Sequence, residues 1–282
     1  MGRPLRPLEE PYRTRAVPPG SARYWSWLFA ARESREPLLG IYALLAEWGA
    51  LMDPGTETAV AQLKLAWWQE EMQRLTAGAP VHPVSHYLAA QPRAADADFA
   101  PLIGAVQAAA RHVAGAPLER GEELEAHSSA LRGRPLLVAA QLAAEGAVDP
   151  LQSGRSVAAL AAGEYLTAAI ADYRRAALAG RVALPVDELL AAGIEDADLT
   201  AREPPPHLQS YLEGLRGRAA QFFAEAAAEL PAAARAQLRH VLILAALGTK
   251  RLKRPGGAAD TGVRLRDLYL AWITARRAAA PG

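Results

Sequence analysis

His82 and His86 stand four residues apart, a spacing that puts two imidazoles on one helical face and suits a transition metal. No third ligand of the right type lies near them. Pro83 marks a helix start, so an ordinary helix N-terminus competes with the metal reading. Cysteine is absent, which removes thiolate metal sites, disulfides and a cysteine nucleophile. No Ser-His-Asp arrangement, glycine-rich phosphate loop or Walker-type lysine motif occurs. Glu47 sits among Tyr42, Leu44, Leu45 and Trp48. It reads either as half of a buried ion pair with an inward arginine or as a ligand contact. Lys250, Arg251, Lys253 and Arg254 form a basic cluster behind an apolar stretch, with Arg174 and Arg175 as candidates to join it in space. A solvated helix end explains such a cluster. So does a surface for anionic lipid head groups or diphosphate. Trp25, Trp27, Trp48, Trp67, Trp68 and Trp272 could line a lipid cavity, although burial in a core is their ordinary fate.

The elements that must position these residues are helical. Leu65, Trp68, Met72 and Leu75 recur at steps of three and four, and Lys64, Gln69, Glu71 and Gln73 occupy much of the remaining surface. Tyr211, Leu215, Phe222 and Leu230 repeat the pattern. Proline and glycine mark breaks at 54–55, 78–80, 115–117, 149–150, 180–185, 204–206 and 255–257. Roughly ten helical segments of ordinary length fit between them. The expected fold is all-α, a helical bundle around a central cavity.

At 282 residues and 51% hydrophobic composition the chain can bury a large core. Its formal net charge of +1 gives no reason to expect a nucleic-acid partner. Residues 1–20, rich in proline and arginine, read as an extended N-terminal arm and as neither a secretory signal nor an anchor. Residues 21–282 read as one helical domain. No run of about 18 apolar residues occurs, so the expected location is cytoplasmic, with any membrane contact peripheral, on the inner face.

Three stretches, in order, resemble the squalene/phytoene synthase family. Tyr24-Trp25-Ser26 through Ile41-Tyr42-Ala43-Leu44 is similar to its opening helices. Leu63-Lys64-Leu65-Ala66-Trp67-Trp68-Gln69-Glu70-Glu71, followed by Gly78 and His82-Pro83-Val84, is similar to its "L-x-x-W-x-x-E-L … G … H-P-V" stretch. Gly180-Arg181-Val182-Ala183-Leu184-Pro185 with Asp187-Glu188-Leu189 is similar to its "G-R-I-Y-L-P … D-E-L" segment. The resemblance implies an isoprenoid-synthase-like bundle. It implies substrate contacts at Tyr24, Glu47 and Arg181. It also implies Mg²⁺-dependent head-to-head joining of farnesyl or geranylgeranyl diphosphates by two acidic motifs on facing helices. Counted from Tyr42, the first motif's aspartates fall on Met52 and Thr56, and an arginine that holds diphosphate falls on Gly49. Counted back from Gly180, the second motif's aspartates fall on Asp172 and Ala176, and its asparagine on Ala168. One of four carboxylates keeps its place. A thioether and a threonine hydroxyl are poor partners for a hard cation.

Asp53 and Glu57 have two readings. They are a shifted carboxylate pair that still binds Mg²⁺ with Asp172, or Asp53 is an N-cap with Pro54 at the first helical position and Glu57 in the first turn. Asp172, beside Arg174 and Arg175, reads as an ion-paired helix surface or as a ligand. The pattern also resembles a catalytically degenerate subgroup that contains the mitochondrial complex I assembly factor related to phytoene synthases. That likeness rests on Glu47, the unpaired Asp53 and the Trp67-Trp68 pair. It implies a binding or assembly protein without prenyl transfer. It implies no cofactor, and a respiratory-complex subunit or a prenyl or lipid ligand as partner.

Overall fold

The computed structural model describes residues 7–143, 150–253 and 264–280. Helices α1 (Glu10–Ala16), α2 (Ala22–Leu28), α3 (Arg35–Met52), α4 (Thr58–Thr76), α5 (Pro83–Ala89) and α6 (Ala100–Val113) make the first half. Then α7 (Glu123–Ser128) runs through a π-helical turn, Ser129–Gly133, into α8 (Arg134–Ala143). The second half holds α9 (Pro150–Leu178), α10 (Val186–Ala191), α11 (Asp196–Thr200), α12 (Pro206–Ala228), α13 (Arg239–Leu252) and α14 (Leu265–Ala279). The fold is all-α. Among the described residues there is no strand, only a parallel bridge between Leu118 and Pro185.

The apolar stripes do what their spacing implies. Leu65, Trp68, Met72 and Leu75 are all buried on α4, and Leu215 and Phe222 on α12 and Leu230 just beyond it are buried too. One buried cluster runs from Leu8 to Ala245. A smaller one, Trp25, Ile243, Leu247, Ala271 and Ala275, seats α14 on α2 and α13. Helices α9, α12 and α13 are locked by Phe223, whose ring fills the space at Gly163 and Gly248. A Cβ there would come within 2.8 and 2.4 Å of it. Any larger residue at either position forces the ring out of a close-packed interior.

Two expectations about the chain's first part change. The arm is not wholly extended, because Glu10–Ala16 is a helix with Pro11 in its first turn and with Ala16 and Val17 buried. Apolar Leu8, Ala16 and Val17 give this segment something to bury, which its proline and arginine content masked. Asp53 does not start a helix either. It ends α3, and Pro54-Gly55 occupy a turn closed by the Thr56 N–H on the Asp53 carbonyl at 2.9 Å. Helix α4 begins at Thr58 with Glu57 as its N-cap residue. The Asp53 carboxylate accepts from Gly55 N–H at 2.8 Å, an Asx-type turn that competes with helix initiation. The 255–257 break, and Arg254 with it, lie outside the described residues.

Candidate functional site

The end of α3, the turn that follows it, the last third of α9 and the loop after α9 meet at one end of the bundle. Gly180 makes this possible. Its φ of +67° ends α9 in the left-handed region, and Arg181 N–H closes back on the Ala176 carbonyl at 2.8 Å. Arg181 is thereby turned inward and is only 3% exposed. Its guanidinium donates to the carbonyls of Asp53 (3.1 Å) and Thr56 (2.7 Å) and to Thr58 Oγ1 (2.7 Å). This candidate substrate contact holds the α3–α4 turn through both Nη atoms.

Beside it, Arg175 bridges the two surviving acids. Its Nη2 lies 2.9 Å from Asp53 Oδ1 and its Nη1 lies 3.2 Å from Asp172 Oδ1. The Gly55 N–H, with Arg175 and Arg181 adding to it, outweighs burial and holds the Asp53 carboxyl below its ordinary range. The ion pairs with Asp53 and then Asp172 raise Arg175. All three side chains remain about half exposed.

Arg175 thus joins Asp172 to Asp53, while Met52 and Thr56 are engaged elsewhere. Met52 packs against the core, and Thr56 Oγ1 donates to the Ala50 carbonyl at 2.9 Å. Ala176 is buried. The Glu57 side chain is exposed and does not join the other two acids. Among the described residues no group of three or more His, Asp or Glu side chains could hold a metal ion.

The remaining candidates lie elsewhere. Glu47 pairs with Arg15 of α1 at 2.7 Å, a partly exposed bridge to the arm rather than a buried pair. Tyr24 packs edge-on against Trp25, ring centroids 4.9 Å apart. His82 is the N-cap of α5, with Nδ1 accepting Val84 N–H at 3.2 Å, so one nitrogen is already committed. Of the six tryptophans, Trp25, Trp48 and Trp68 are core, while Trp67 and Trp272 are exposed.

Sequence reasoning missed a polar group inside the bundle. Arg23 lies over the Tyr42 ring at 5.7 Å. Burial, with Arg132 nearby, pulls Arg23 below its usual value, and Glu164 acts in the opposite sense. The Arg132 Nε is buried without a partner. His127 lies edge-on to Tyr165 at 5.4 Å. Arg132, on the π-helical turn, lay in no motif, so nothing in the sequence marked it as inward.

A family model, squalene/phytoene synthase, matches residues 18–268. The chain belongs to the squalene/phytoene synthase family. Among solved structures, a dehydrosqualene synthase in complex with ligand is similar, with a TM-score of 0.70, 16% identity and 90% of each chain covered. The squalene synthase HpnC from Alicyclobacillus acidocaldarius gives a TM-score of 0.61 and 17% identity, covering 92% of this chain and 89% of that one. These likenesses establish the isoprenoid-synthase-like fold. No curated protein matches in sequence.

Within this squalene/phytoene synthase member, the family-like stretches have structural work. The acids of Asp187-Glu188 tie α10 to its neighbours: Asp187 accepts Gly121 N–H at 3.2 Å from the loop before α7, and Glu188 pairs with Arg218 of α12 at 2.6 Å. Glu71 binds the turn leading into His82-Pro83-Val84.

Proposed function

We propose that the chain is a non-catalytic squalene/phytoene-synthase-like protein, a binding or assembly factor that serves a respiratory NADH dehydrogenase of the complex I type. The observation that carries this reading is Arg175, which bridges Asp53 and Asp172 where a family enzyme would need carboxylates free for Mg²⁺. A guanidinium can neutralise both acids with fixed geometry, but it offers no open coordination position to a diphosphate oxygen. A multi-metal cluster draws on several carboxylates, and among the described residues no group of three or more His, Asp or Glu side chains is placed to supply them. The inward Arg23 and Arg132 add to the case, because a hydrocarbon chain placed against guanidinium groups leaves them desolvated and unpaired.

A second reading has one observation in its favour. Asp53 and Asp172 do converge, and Arg175 is exposed enough to swing away. The chain would then be an active head-to-head prenyltransferase with a divergent Mg²⁺ site on Asp53 and Asp172, to which Glu57 would have to move. Incubation of the purified protein with farnesyl or geranylgeranyl diphosphate and Mg²⁺ separates the two. No diphosphate release above the protein-free control is expected. Turnover at an enzymatic rate would establish the second reading and end the first.

The assembly role rests on the resemblance to the degenerate subgroup. Deleting the gene should lower membrane NADH dehydrogenase activity and leave C30 and C40 hydrocarbon products unchanged. An unaltered NADH oxidation rate, or a missing hydrocarbon, counts against it.

A further inference from the structure

Helix α14 presents two opposed faces. Ala271, Ala275 and Ala278 are buried on the bundle side. Leu265, Tyr269 and Trp272, at i, i+4 and i+7, form a stripe on the outer side and are 78%, 60% and 41% exposed. Arg276 continues that stripe with its guanidinium 5.3 Å from the Trp272 ring centroid. Arg266 and Arg277 flank it, both exposed. Asp267, which carries the acidic charge of this helix, is held against Lys250. The same contact removes Lys250 from the basic cluster expected near the end of α13. Arg251 and Lys253 near the end of α13 remain exposed, and on α14 the exposed cations are Arg266, Arg276 and Arg277. Among the described residues no helix is long and apolar enough to cross a membrane.

We propose that the outer face of α14 lies on an anionic phospholipid surface. The argument is charge complementarity joined to chemistry along one stripe. Tyrosine and tryptophan favour the boundary between head groups and acyl chains, leucine enters the apolar side, and arginines at the rim meet phosphate. A second copy is a poorer occupant. Two such faces packed across a two-fold axis bring Arg266, Arg276 and Arg277 of each copy towards those of the other, which like-charge repulsion opposes.

The test is flotation of the full chain with vesicles of phosphatidylcholine alone and of phosphatidylcholine mixed with phosphatidylglycerol, at low and high salt. Binding to the anionic vesicles is expected, with loss at high salt and little binding to the neutral ones. Arg276→Gln with Arg277→Gln should lower the partition coefficient about 30-fold. Trp272→Ser should lower it as well, and neither change should move the thermal midpoint, since these side chains are exposed. Three results overturn the proposal: no flotation, equal flotation on both vesicle types, or variants that float like the parent. A concentration-dependent dimer in sedimentation velocity that Tyr269→Ser abolishes would assign the face to a second copy instead.

Discussion

Glu71→Gln should lower the thermal midpoint by about 5–10 °C, the consequence of losing about 2–3 kcal/mol in a domain of this size. The Glu71 side chain is wholly buried. Its Oε1 accepts Val81 N–H at 3.0 Å and His82 N–H at 2.8 Å, and its Oε2 accepts Arg74 Nε–H at 2.9 Å. An amide in its place has one acceptor oxygen and one NH₂. The NH₂ must face either the two backbone donors or the guanidinium, and that side is left unsatisfied. The clamp explains why the glutamate, glycine and His-Pro-Val occur together. Gly78, at φ +76°, turns the chain out of α4, and the carboxylate catches it at 81–82, so that Pro83 can start α5. Burial raises the Glu71 pKa, but hydrogen bonds from His82 N–H and Arg74 outweigh it, and the carboxyl titrates below its usual 4.5. A depressed carboxylate stabilises above its unfolded pKa and loses that contribution as pH falls through its folded one. The gap in stability between parent and Glu71→Gln should therefore be constant near neutrality and shrink below about pH 4.5. Equal midpoints for the two proteins at pH 7 would show that the clamp is idle.

Much of this architecture was legible in the residues, because helical periodicity is a local signal. The stripe on α4, the break at 54–55 and the helix start at Pro83 all follow from side-chain spacing and backbone chemistry. Tertiary relations were not legible in the same way. Glu71 sits amid a polar face and reads as solvated, yet the turn after α4 folds over it. Arg181 matched a family position and reads as a substrate contact, yet the left-handed Gly180 turns it onto backbone carbonyls. Arg175 showed only that Asp172 has a nearby cation. That the same guanidinium reaches Asp53, 122 residues away in sequence, depends on how α9 passes the end of α3. Nor could spacing along the chain show that Asp53, one residue past Met52, is the side chain that shares Arg175 with Asp172.

The site and the scaffold also differ in character. Arg181 is buried, whereas Arg175, Asp53 and Asp172 are about half exposed and screened by solvent. Exposed pairs contribute little to stability, generally under about 1 kcal/mol. The Arg175 bridge thus bears more on what this surface can bind than on whether the protein folds.

On acidification from pH 6.5 to about 4 the protein should lose stability steeply, because three histidines are held neutral in the folded state. Burial is the main cause in each. It pushes His112 down to about 4, with His127, Arg132 and Arg181 adding to it. His127 also falls to about 4, with Arg111 and Arg132 nearby. His240, 1% exposed, falls to about 3, with Arg239 beside it, and both of its ring nitrogens lack a partner. The sign follows from linkage. Below pH 6.5 the unfolded chain takes up protons that the folded one refuses, so stability rises with pH across this window and falls on the acid side. Each histidine contributes up to about 1.4 kcal/mol per pH unit. Three together can remove up to about 4 kcal/mol per unit, or about 6 kcal/mol by pH 5, a large part of a typical domain's stability. His240→Leu isolates one of them. It replaces two buried, unpaired polar nitrogens with an apolar side chain, so the midpoint at pH 7 should rise by a few degrees. The gain should widen at pH 5, because one of the three proton-linked penalties is gone. Urea unfolding of both proteins at pH 7, 6 and 5 measures this. Parallel pH profiles for His240→Leu and its parent would mean that His240 does not resist protonation in the fold.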